Sequence, residues 1–201
     1  MSLRKDYEAI LEQVPRGIRI LDIGCSDGVL MELLEKEKGA EVRGLEISQK
    51  GVNACVAKGL AVIQGDADKD LGLFPDNSFD LVILSNTIQA TMNPHDVLSE
   101  IHRIGRRAIV SLPNFGFWKI RLLLATTGKM PVTKDLPDTW YNTPNIHLCT
   151  IQDFADLARE ANFTITAIMP INGEKRGRSL EKSGFFTNLL AQKAVFVLER
   201  I

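Results

Sequence analysis

Short apolar runs alternate with amphipathic stretches along most of the chain, and this order is typical of proteins in which strands and helices take turns. The strand-like runs are "IRILDIG", "EVRGLEIS", "LAVIQGDA", "FDLVILS" and "RRAIVSLPN". Helical spacing of apolar residues precedes the first run and separates most of the others, as in "GVLMELLEKEKG" and around 93–104. The pattern therefore predicts β-α-β crossovers, which place the strands in parallel and helices on both faces of the sheet.

Two further strand-like runs, "FTITAIMPI" and "KAVFVLER", end the chain after a capping-box-like helix start at Thr150 and Asp153. Because successive strands favour a hairpin, we predict an α/β fold with a mostly parallel seven-stranded sheet and an antiparallel edge strand. Residues 1–201 are expected to form a single domain. Between Asn114 and Thr150 the pattern loosens over a stretch too long for an ordinary connection, which predicts a lid or partner-binding insertion at about 114–150.

The composition argues against several classes of protein. With 24 Lys and Arg against 25 Asp and Glu, the formal net charge is −1, so broad electrostatic binding to nucleic acid or to an anionic membrane is not expected. No run approaches the roughly 20 apolar residues that cross a bilayer. The charged start "MSLRKDYEAILEQV" lacks the apolar core of a signal peptide, and a cytoplasmic protein is expected. Cys25, Cys55 and Cys149 form neither a disulfide framework nor a metal-binding spacing.

Polar residues and glycines gather where the first three predicted strands end. The first strand runs into "DIGCSDG" (22–28), Glu46 closes the second, and "GDA" (65–67) closes the third. Ligands of open α/β sheets bind outside the carboxyl ends of the strands, so one signal per strand predicts a single ligand site at this edge. A carboxylate at the end of a buried strand needs donors, so we expect Asp22 to accept hydrogen bonds from loop N–H groups and to reach a ligand's ammonium.

These residue types suit a nucleoside ligand. Gly24 and Gly28 allow close approach of the backbone, and the helix start beyond them offers free N–H groups to a carboxylate. Glu46 can accept hydrogen bonds from two ribose hydroxyls, and Ile47 beside it can pack on a purine face. Asp66 can accept from an exocyclic adenine amine, while the next N–H is available to a ring nitrogen. The alternative is that the glycines only make tight turns.

The loop after the first strand resembles the first motif of class I S-adenosylmethionine-dependent methyltransferases, an acid followed by a GxGxG-like loop. Ser26 stands where that pattern has its middle glycine. A dinucleotide-dependent oxidoreductase would need GxGxxG, which "GCSDG" does not provide. The resemblance implies the Rossmann-like class I methyltransferase fold, with S-adenosylmethionine or S-adenosylhomocysteine as the cofactor.

The resemblance also implies a cofactor-binding set drawn from the ends of the first four strands. This set is Asp22, Gly24, Cys25, Ser26, Gly28, Glu46, Ile47, Asp66, Ala67 and Ser85. Asn86 and Gln89 follow in "SNTIQ" and are candidates to touch the methionine moiety or an acceptor, against the alternative that their polarity satisfies the loop backbone. His147 is a candidate general base, against the alternative of a structural histidine before a capped helix. No metal-binding set is predicted.

Over nearly its whole length the chain resembles one branch of this superfamily, the methionine biosynthesis protein MetW family. The resemblance rests on "ILDIGCSDG" together with "LSNTIQATMNP", "VSLPNFGFWKIRLLLATTGKMPVT" and "LPDTWYNTPNIHLCTIQDF". The family is associated with homoserine O-acyltransferase in the synthesis of methionine. That enzyme is therefore the implied partner.

Two functions remain open at this point. In the first, the protein binds S-adenosylmethionine or S-adenosylhomocysteine and acts with the acyltransferase. In the second, it is a small-molecule methyltransferase whose acceptor and base the sequence does not identify, since methyl transfer needs only an aligned nucleophile. Aromatic residues of the insertion favour a partner surface, although they can equally cover the open end of the sheet. They are Phe115, Phe117, Trp118, Trp140 and Tyr141.

Overall fold

An eight-stranded sheet forms the centre of the protein in a computed structural model that describes residues 4–133, 136–173 and 175–201. The strands are β1 (Arg19–Ile23), β2 (Glu41–Glu46), β3 (Val62–Gln64), β4 (Phe79–Ser85), β5 (Gly105–Pro113), β6 (Phe163–Asn172), β7 (Lys175–Arg176) and β8 (Lys193–Arg200). Their order across the sheet is β3-β2-β1-β4-β5-β8-β6-β7. Strands β1 to β5 pair in parallel.

Helices connect most of the strands. They are α1 (Lys5–Gln13), α2 (Val29–Lys38), α3 (Gln49–Ala57), α4 (Pro94–Ile104), α5 (Trp118–Thr127), α6 (Ile151–Glu160) and α7 (Phe185–Leu190). Within the described ranges, none of them has both the length and the apolar character needed to cross a membrane.

Each face of the sheet packs against its own group of helices. Ile20 and Leu21 are adjacent in β1 and point to opposite faces, where each joins a separate apolar core. One core contains Met31 of α2 and further residues of α1 and α3. The other contains Leu98 of α4 and Phe154 of α6. The continuous apolar strands seen in the sequence are thus explained by burial on both sides.

The last part of the sheet is antiparallel. β8 pairs antiparallel with both β5 and β6, and β6 pairs antiparallel with the short β7. The predicted α/β class, with a mostly parallel sheet and an antiparallel edge, is confirmed. The structure adds the two-residue β7 to the seven strands that the sequence predicts. The sequence did not predict β7 because two residues are too few to show a hydrophobic period.

The stretch predicted as an insertion leaves the sheet after β5 and returns before α6. Its two ends are joined, since the N–H of Phe115 donates to the carbonyl of Cys149 at 3.1 Å. α5 is the helix of this insertion. Residues 134 and 135 of the insertion lie outside the described residues. The predicted capping box at the start of α6 is confirmed, with both the Thr150 and the Asp153 side chains accepting from the other's backbone N–H.

One buried amide fixes the corner where the insertion begins. Asn114 is fully buried, and its Nδ2 donates to the carbonyls of Asn188 and Ala191 at 2.7 Å each. Its Oδ1 accepts from the N–H of Gly116 at 2.8 Å and from that of Ile151 at 3.3 Å. A single side chain therefore ties the end of β5 to α7, to the insertion and to α6.

Replacing this amide should destabilise the fold strongly. Asn114→Ala removes four hydrogen bonds and leaves buried partners unsatisfied, so we expect the free energy of unfolding to fall by about 3 kcal/mol or more. Urea denaturation measures this loss. The control is Asn142→Ala, an exposed residue of the same insertion, which should change stability by less than about 0.5 kcal/mol. Equal stability of the two variants would contradict the role given to Asn114.

Candidate functional site

The loop between β1 and α2 is built on three residues with left-handed backbone. Their φ angles are +72° at Gly24, +53° at Ser26 and +74° at Gly28. Ser26, at the position of the middle glycine of the motif it resembles, keeps the backbone conformation that favours glycine there. For a residue with a Cβ, this conformation costs about 1–2 kcal/mol. The loop geometry is thus retained despite the departure in sequence.

Protein side chains crowd the two loop glycines. A Cβ on Gly24 would lie 2.5 Å from Oγ1 of Thr87, and one on Gly28 would lie 2.5 Å from Cδ1 of Leu60 and 2.9 Å from Sγ of Cys55. Thr87 is fixed there because its hydroxyl donates to the carbonyl of Ile23 at 3.0 Å. Internal packing alone therefore requires glycine at both positions, whether or not a ligand approaches the backbone.

The carboxylate of Glu46 joins two loops. Its Oε2 accepts from the N–H of Ser26 at 2.9 Å, and its Oε1 accepts from the N–H of Ser48 at 2.8 Å. Glu46 is 7% exposed, and Gly51 leaves room for it, since a Cβ there would lie 2.7 Å from Cγ of Glu46. Each carboxylate oxygen can accept a second hydrogen bond, so capacity for hydroxyl donors remains.

Asp22 is buried without the donors that the sequence led us to expect. It is 1% exposed, and within the described part of the chain its Oδ1 has no hydrogen-bond partner. The expectation that loop N–H groups donate to Asp22 is wrong, because those of Gly24 and Cys25 donate to the carbonyl of Leu45 instead. Burial, with the nearby charge of Glu46 as a second cause, raises the pKa of Asp22 to about 7.

An apolar cavity of about 240 Å³ lies beside the ends of β2 and β3. Its lining comprises Ile23, Gly24, Leu45, Ile47, Gly65, Asp66, Ala67, Asp68, Thr87, Ala90, Thr91 and Met92. Ile47 and Met92 are 65% and 68% exposed, so both side chains are accessible to a ligand. The structure thus brings Ile47, Asp66 and Ala67 of the predicted set into one cavity.

A second cavity, of about 420 Å³, adjoins the first at Gly24. Its lining comprises Arg4, Tyr7, Asp22, Gly24, Cys25, Ser26, Asp27, Val29, Leu30 and Ser85. It contains Asp22, Cys25, Ser26 and Ser85 of the predicted set. Glu46 and Gly28 line neither cavity. They affect the cavities by fixing the conformation of the loop between β1 and α2.

The N-terminal end of α1 forms part of the wall of the second cavity, and no sequence pattern predicted this contact. Arg4 donates to the hydroxyl of Tyr7 at 3.1 Å and is ion-paired with Asp6, which also accepts from Nδ2 of Asn86 at 3.1 Å. Burial opposes ionisation of Asp6, but its hydrogen bond with Arg4, the charge of Arg4 and weaker contacts together outweigh burial and lower its pKa. A guanidinium and a phenol therefore face the same cavity as the Asp22 carboxyl.

Cys25 lies against Cys55 behind the loop. Both are buried, and their sulfur atoms are 3.9 Å apart. Burial, followed by the charge of Asp22, raises the pKa of the Cys25 thiol far above its usual range. The thiols are neutral packing groups in this state.

Two carboxylates, those of Asp66 and Asp68, hold the loop that follows β3 in place. Asp66 is ion-paired with Lys69 at 2.7 Å, and that hydrogen bond, followed by one from the N–H of Asp68, lowers its pKa. Asp68, which the sequence did not single out, accepts from the N–H groups of Met92 and Asn93 at 2.8 Å each. These contacts join the loop after β3 to the turn after β4 and so shape the first cavity.

Gln89 and His147 lie apart from these cavities. They line a separate pocket of about 180 Å³ with Cys149 and Phe154. Oε1 of Gln89 and Nε2 of His147 are buried, and within the described ranges neither has a hydrogen-bond partner. Within the described part of the chain, no group of three or more His, Cys, Asp or Glu residues could hold a metal ion.

Comparison with known proteins assigns the family. The family model "Methionine biosynthesis protein MetW" matches residues 4–198. The chain belongs to the MetW family. It is also 36% identical over 174 residues to the "Bifunctional methionine biosynthesis protein MetXA/MetW" of Rhodopirellula baltica. That match covers 82% of the chain but 28% of the relative, so the chain spans little more than a quarter of that protein's length.

Solved structures share the fold of this MetW-family chain. An S-adenosylmethionine-dependent methyltransferase from Thermotoga maritima superposes with a TM-score of 0.71 at 18% identity, covering 98% of this chain and 88% of that one. The cyclase SpnF gives a TM-score of 0.69 at 15% identity, with coverage of 98% and 80%. The fold is that of the class I methyltransferases, and a cyclase among its neighbours illustrates that this fold does not by itself fix the reaction.

The buried carboxyl of Asp22 should make stability depend on pH. An unfolded aspartate has a pKa near 4, whereas burial raises the folded value to about 7. Between about pH 4 and pH 7 the folded state therefore binds more protons than the unfolded state, and stability falls as the pH rises. Once the pH is well above 7, ionisation of Asp22 lowers the free energy of unfolding by roughly 4 kcal/mol relative to its value below pH 4.

Asp22→Asn should remove this dependence. In the ligand-free protein, the free energy of unfolding of the variant relative to wild type should increase by a few kcal/mol from pH 4 to pH 7.5. Urea denaturation at a series of pH values measures the difference. The matched control is Asp27→Asn, an exposed carboxylate of the same loop, for which the difference should stay flat. A flat difference for Asp22→Asn would contradict the raised pKa.

Proposed function

We propose that the protein binds S-adenosylmethionine or S-adenosylhomocysteine in the two cavities that meet at Gly24, and that it acts with homoserine O-acyltransferase in methionine biosynthesis. The observation that supports the ligand is that Asp22, which lines the larger cavity, has a buried oxygen without a hydrogen-bond partner among the described residues. A ligand ammonium would supply the missing donor and stabilise the ionised carboxylate. The cavity volumes suit a ligand of this size.

The first cavity suits the adenine half of such a ligand. Its walls are mostly apolar, and a flat ring would cover the exposed side chains of Ile47 and Met92. Asp66 offers carboxylate oxygens at the cavity wall to an exocyclic amine. Glu46 fixes the loop between the cavities and can accept from ribose hydroxyls with its remaining lone pairs.

The second cavity suits the amino-acid half. Asp22 would hold the ammonium, and the carboxylate would be attracted to the guanidinium of Arg4. Val29 and Leu30 also line this cavity, so the positive N-terminal end of α2 faces it and favours an anion there as well. Charges of both signs are thus placed for a zwitterion.

Loss of the Glu46 carboxylate should weaken ligand binding. Hydrogen bonds to a charged group contribute about 1.5–3 kcal/mol each, and the loop also loses its anchor. We therefore expect Glu46→Ala to weaken binding of S-adenosylhomocysteine at least tenfold, as measured by calorimetry. Glu41→Ala, at the exposed start of the same strand, is the control and should bind normally. Unchanged affinity in folded Glu46→Ala would remove Glu46 from the site.

The partnership is supported by the relative from Rhodopirellula baltica, in which MetXA and MetW parts occur in one chain. We take the MetXA part to be the acyltransferase. A fused chain holds its two parts at high effective concentration, which is useful where the parts act together. In a separate chain the same association would depend on a surface contact.

A link between the cofactor cavities and the insertion would allow the ligand to influence such a contact. The turn at Ile88–Ala90 borders the first cavity through Ala90. The same turn holds the insertion, because Nε2 of Gln89 donates to Oδ1 of Asn145 at 3.0 Å and its carbonyl accepts from the N–H of His147 at 3.0 Å. A ligand that binds the two assembly states unequally shifts their equilibrium.

Mixing purified acyltransferase with this protein, with and without S-adenosylmethionine, tests the partnership. We expect a complex by size-exclusion chromatography with light scattering, together with a change in the rate of acyl transfer. Neither a complex nor a rate change under any condition would refute the partnership. Small-molecule methyl transfer, for which S-adenosylmethionine would supply the electrophilic methyl group, would then become the leading function.

A further inference from the structure

α5 is apolar on several sides and yet exposed. Of its ten residues, Ile120 is the buried one, whereas Trp118, Leu122, Leu123 and Leu124 are 41%, 52%, 40% and 46% exposed. Three consecutive leucines point about 100° apart around a helix, so they cannot all face one core. An apolar helix of this kind is normally covered by protein, and the described part of the chain leaves it exposed.

The exposed apolar surface continues into the second half of the insertion. Phe117 and Ile120 pack against Leu136, and Phe115 packs against the same cluster. Phe115 and Leu136 also line a cavity of about 430 Å³ whose rim includes Trp140 and Tyr141. These two aromatic residues are each 73% exposed, and their rings are in contact, with centroids 5.6 Å apart.

We call this region the α5 surface. It consists of Trp118, Leu122, Leu123, Leu124, Trp140 and Tyr141. Together these side chains expose on the order of 700 Å², close to the roughly 800 Å² that each partner contributes to a stable protein interface. Isolated monomers rarely leave so many large apolar side chains of one segment in water. None of the six residues lines either cavity of the proposed cofactor site.

We infer that the α5 surface is where this protein docks homoserine O-acyltransferase, an inference that rests on the proposed function. The relative that joins a MetXA part to a MetW part in one chain indicates the partner of this fold. The cavity beside Trp140 would receive an apolar anchor side chain of the partner, since desolvated pockets of this kind hold interface anchors.

The charge of the α5 surface favours this partner over a second copy of the chain. α5 contains Lys119 and Arg121 and no acid, and Lys129 follows it, so these cations outnumber Asp138, the acid that lines the cavity beside Trp140. All three cations are exposed. In a two-fold symmetric dimer the same patch meets itself, so these cations would face one another, and like charges opposed across an interface cost several kcal/mol. The matching surface of the partner is therefore apolar and bordered by carboxylates.

Exposed substitutions test the surface without touching the cofactor site. Leu123→Glu and, separately, Trp140→Ala should each weaken binding of purified acyltransferase at least tenfold, measured by calorimetry. Binding of S-adenosylhomocysteine and the unfolding midpoint should match wild type. The control is Leu73→Glu, which alters an 80% exposed leucine on the short turn before β4 and should leave both affinities unchanged. Lys119→Glu should weaken the complex and reduce its sensitivity to salt.

The outcomes separate this inference from the proposed function. If wild type forms no complex with the acyltransferase, the partnership itself fails. If wild type forms the complex and both variants bind as tightly as wild type, the partnership stands and the α5 surface is refuted as its site. If light scattering shows a dimer of this chain that the two variants dissociate while acyltransferase binding stays intact, a second copy occupies the surface and the inference is likewise refuted.

Discussion

The carboxylate of Glu46 is the contact on which the rest of the site depends. The loop after β1 and the loop after β2 leave adjacent parallel strands, and nothing in strand pairing itself orients them. Glu46 orients both, because one oxygen accepts from Ser26 and the other from Ser48. Both cavities border elements that these two hydrogen bonds hold in place.

That arrangement has an electrostatic consequence. Glu46 places negative charge close to Asp22, which is itself removed from water, and the loop amides are directed to other acceptors. A buried carboxyl in this position is neutral at low pH and destabilising when ionised. A cation in the adjoining cavity would favour the ionised form. Arg4 already faces the cavity from the other side, so the wall presents opposite charges a short distance apart.

The proposed binding functions occupy different parts of the same edge of the sheet. The cavities lie at the ends of β1, β2 and β3, whereas the insertion with α5 follows the end of β5. The turn at Ile88–Ala90 lies between them and is bonded to the insertion through Gln89. A shift of this turn would move both the wall of the first cavity and the insertion. This gives a physical route by which a bound nucleoside could influence a docked protein.

The sequence by itself determined the features that depend on neighbours in the chain. Apolar runs identified the strands, and the Thr150 capping box marked the start of α6. Gly24 and Gly28 marked a glycine-bounded loop, and the structure shows left-handed backbone at both positions. The same local rules misled at Asp22, where a polar loop next in sequence suggested donors that in fact point elsewhere. Hydrogen-bond direction in a loop is set by the strands on either side, which local pattern does not describe.

Only the tertiary structure decided the contacts between distant segments. Arg4 reaches the second cavity because α1 packs against α2 and β8. Thr87 packs on Gly24 because β4 is the neighbour of β1 in the sheet. The exposure of α5 is of the same kind, since the sequence predicted only an insertion in this stretch, and the fold forms a helix there whose leucines are exposed. Such features depend on which surfaces the folded chain brings together and which it leaves in water, and residues far apart in sequence settle both.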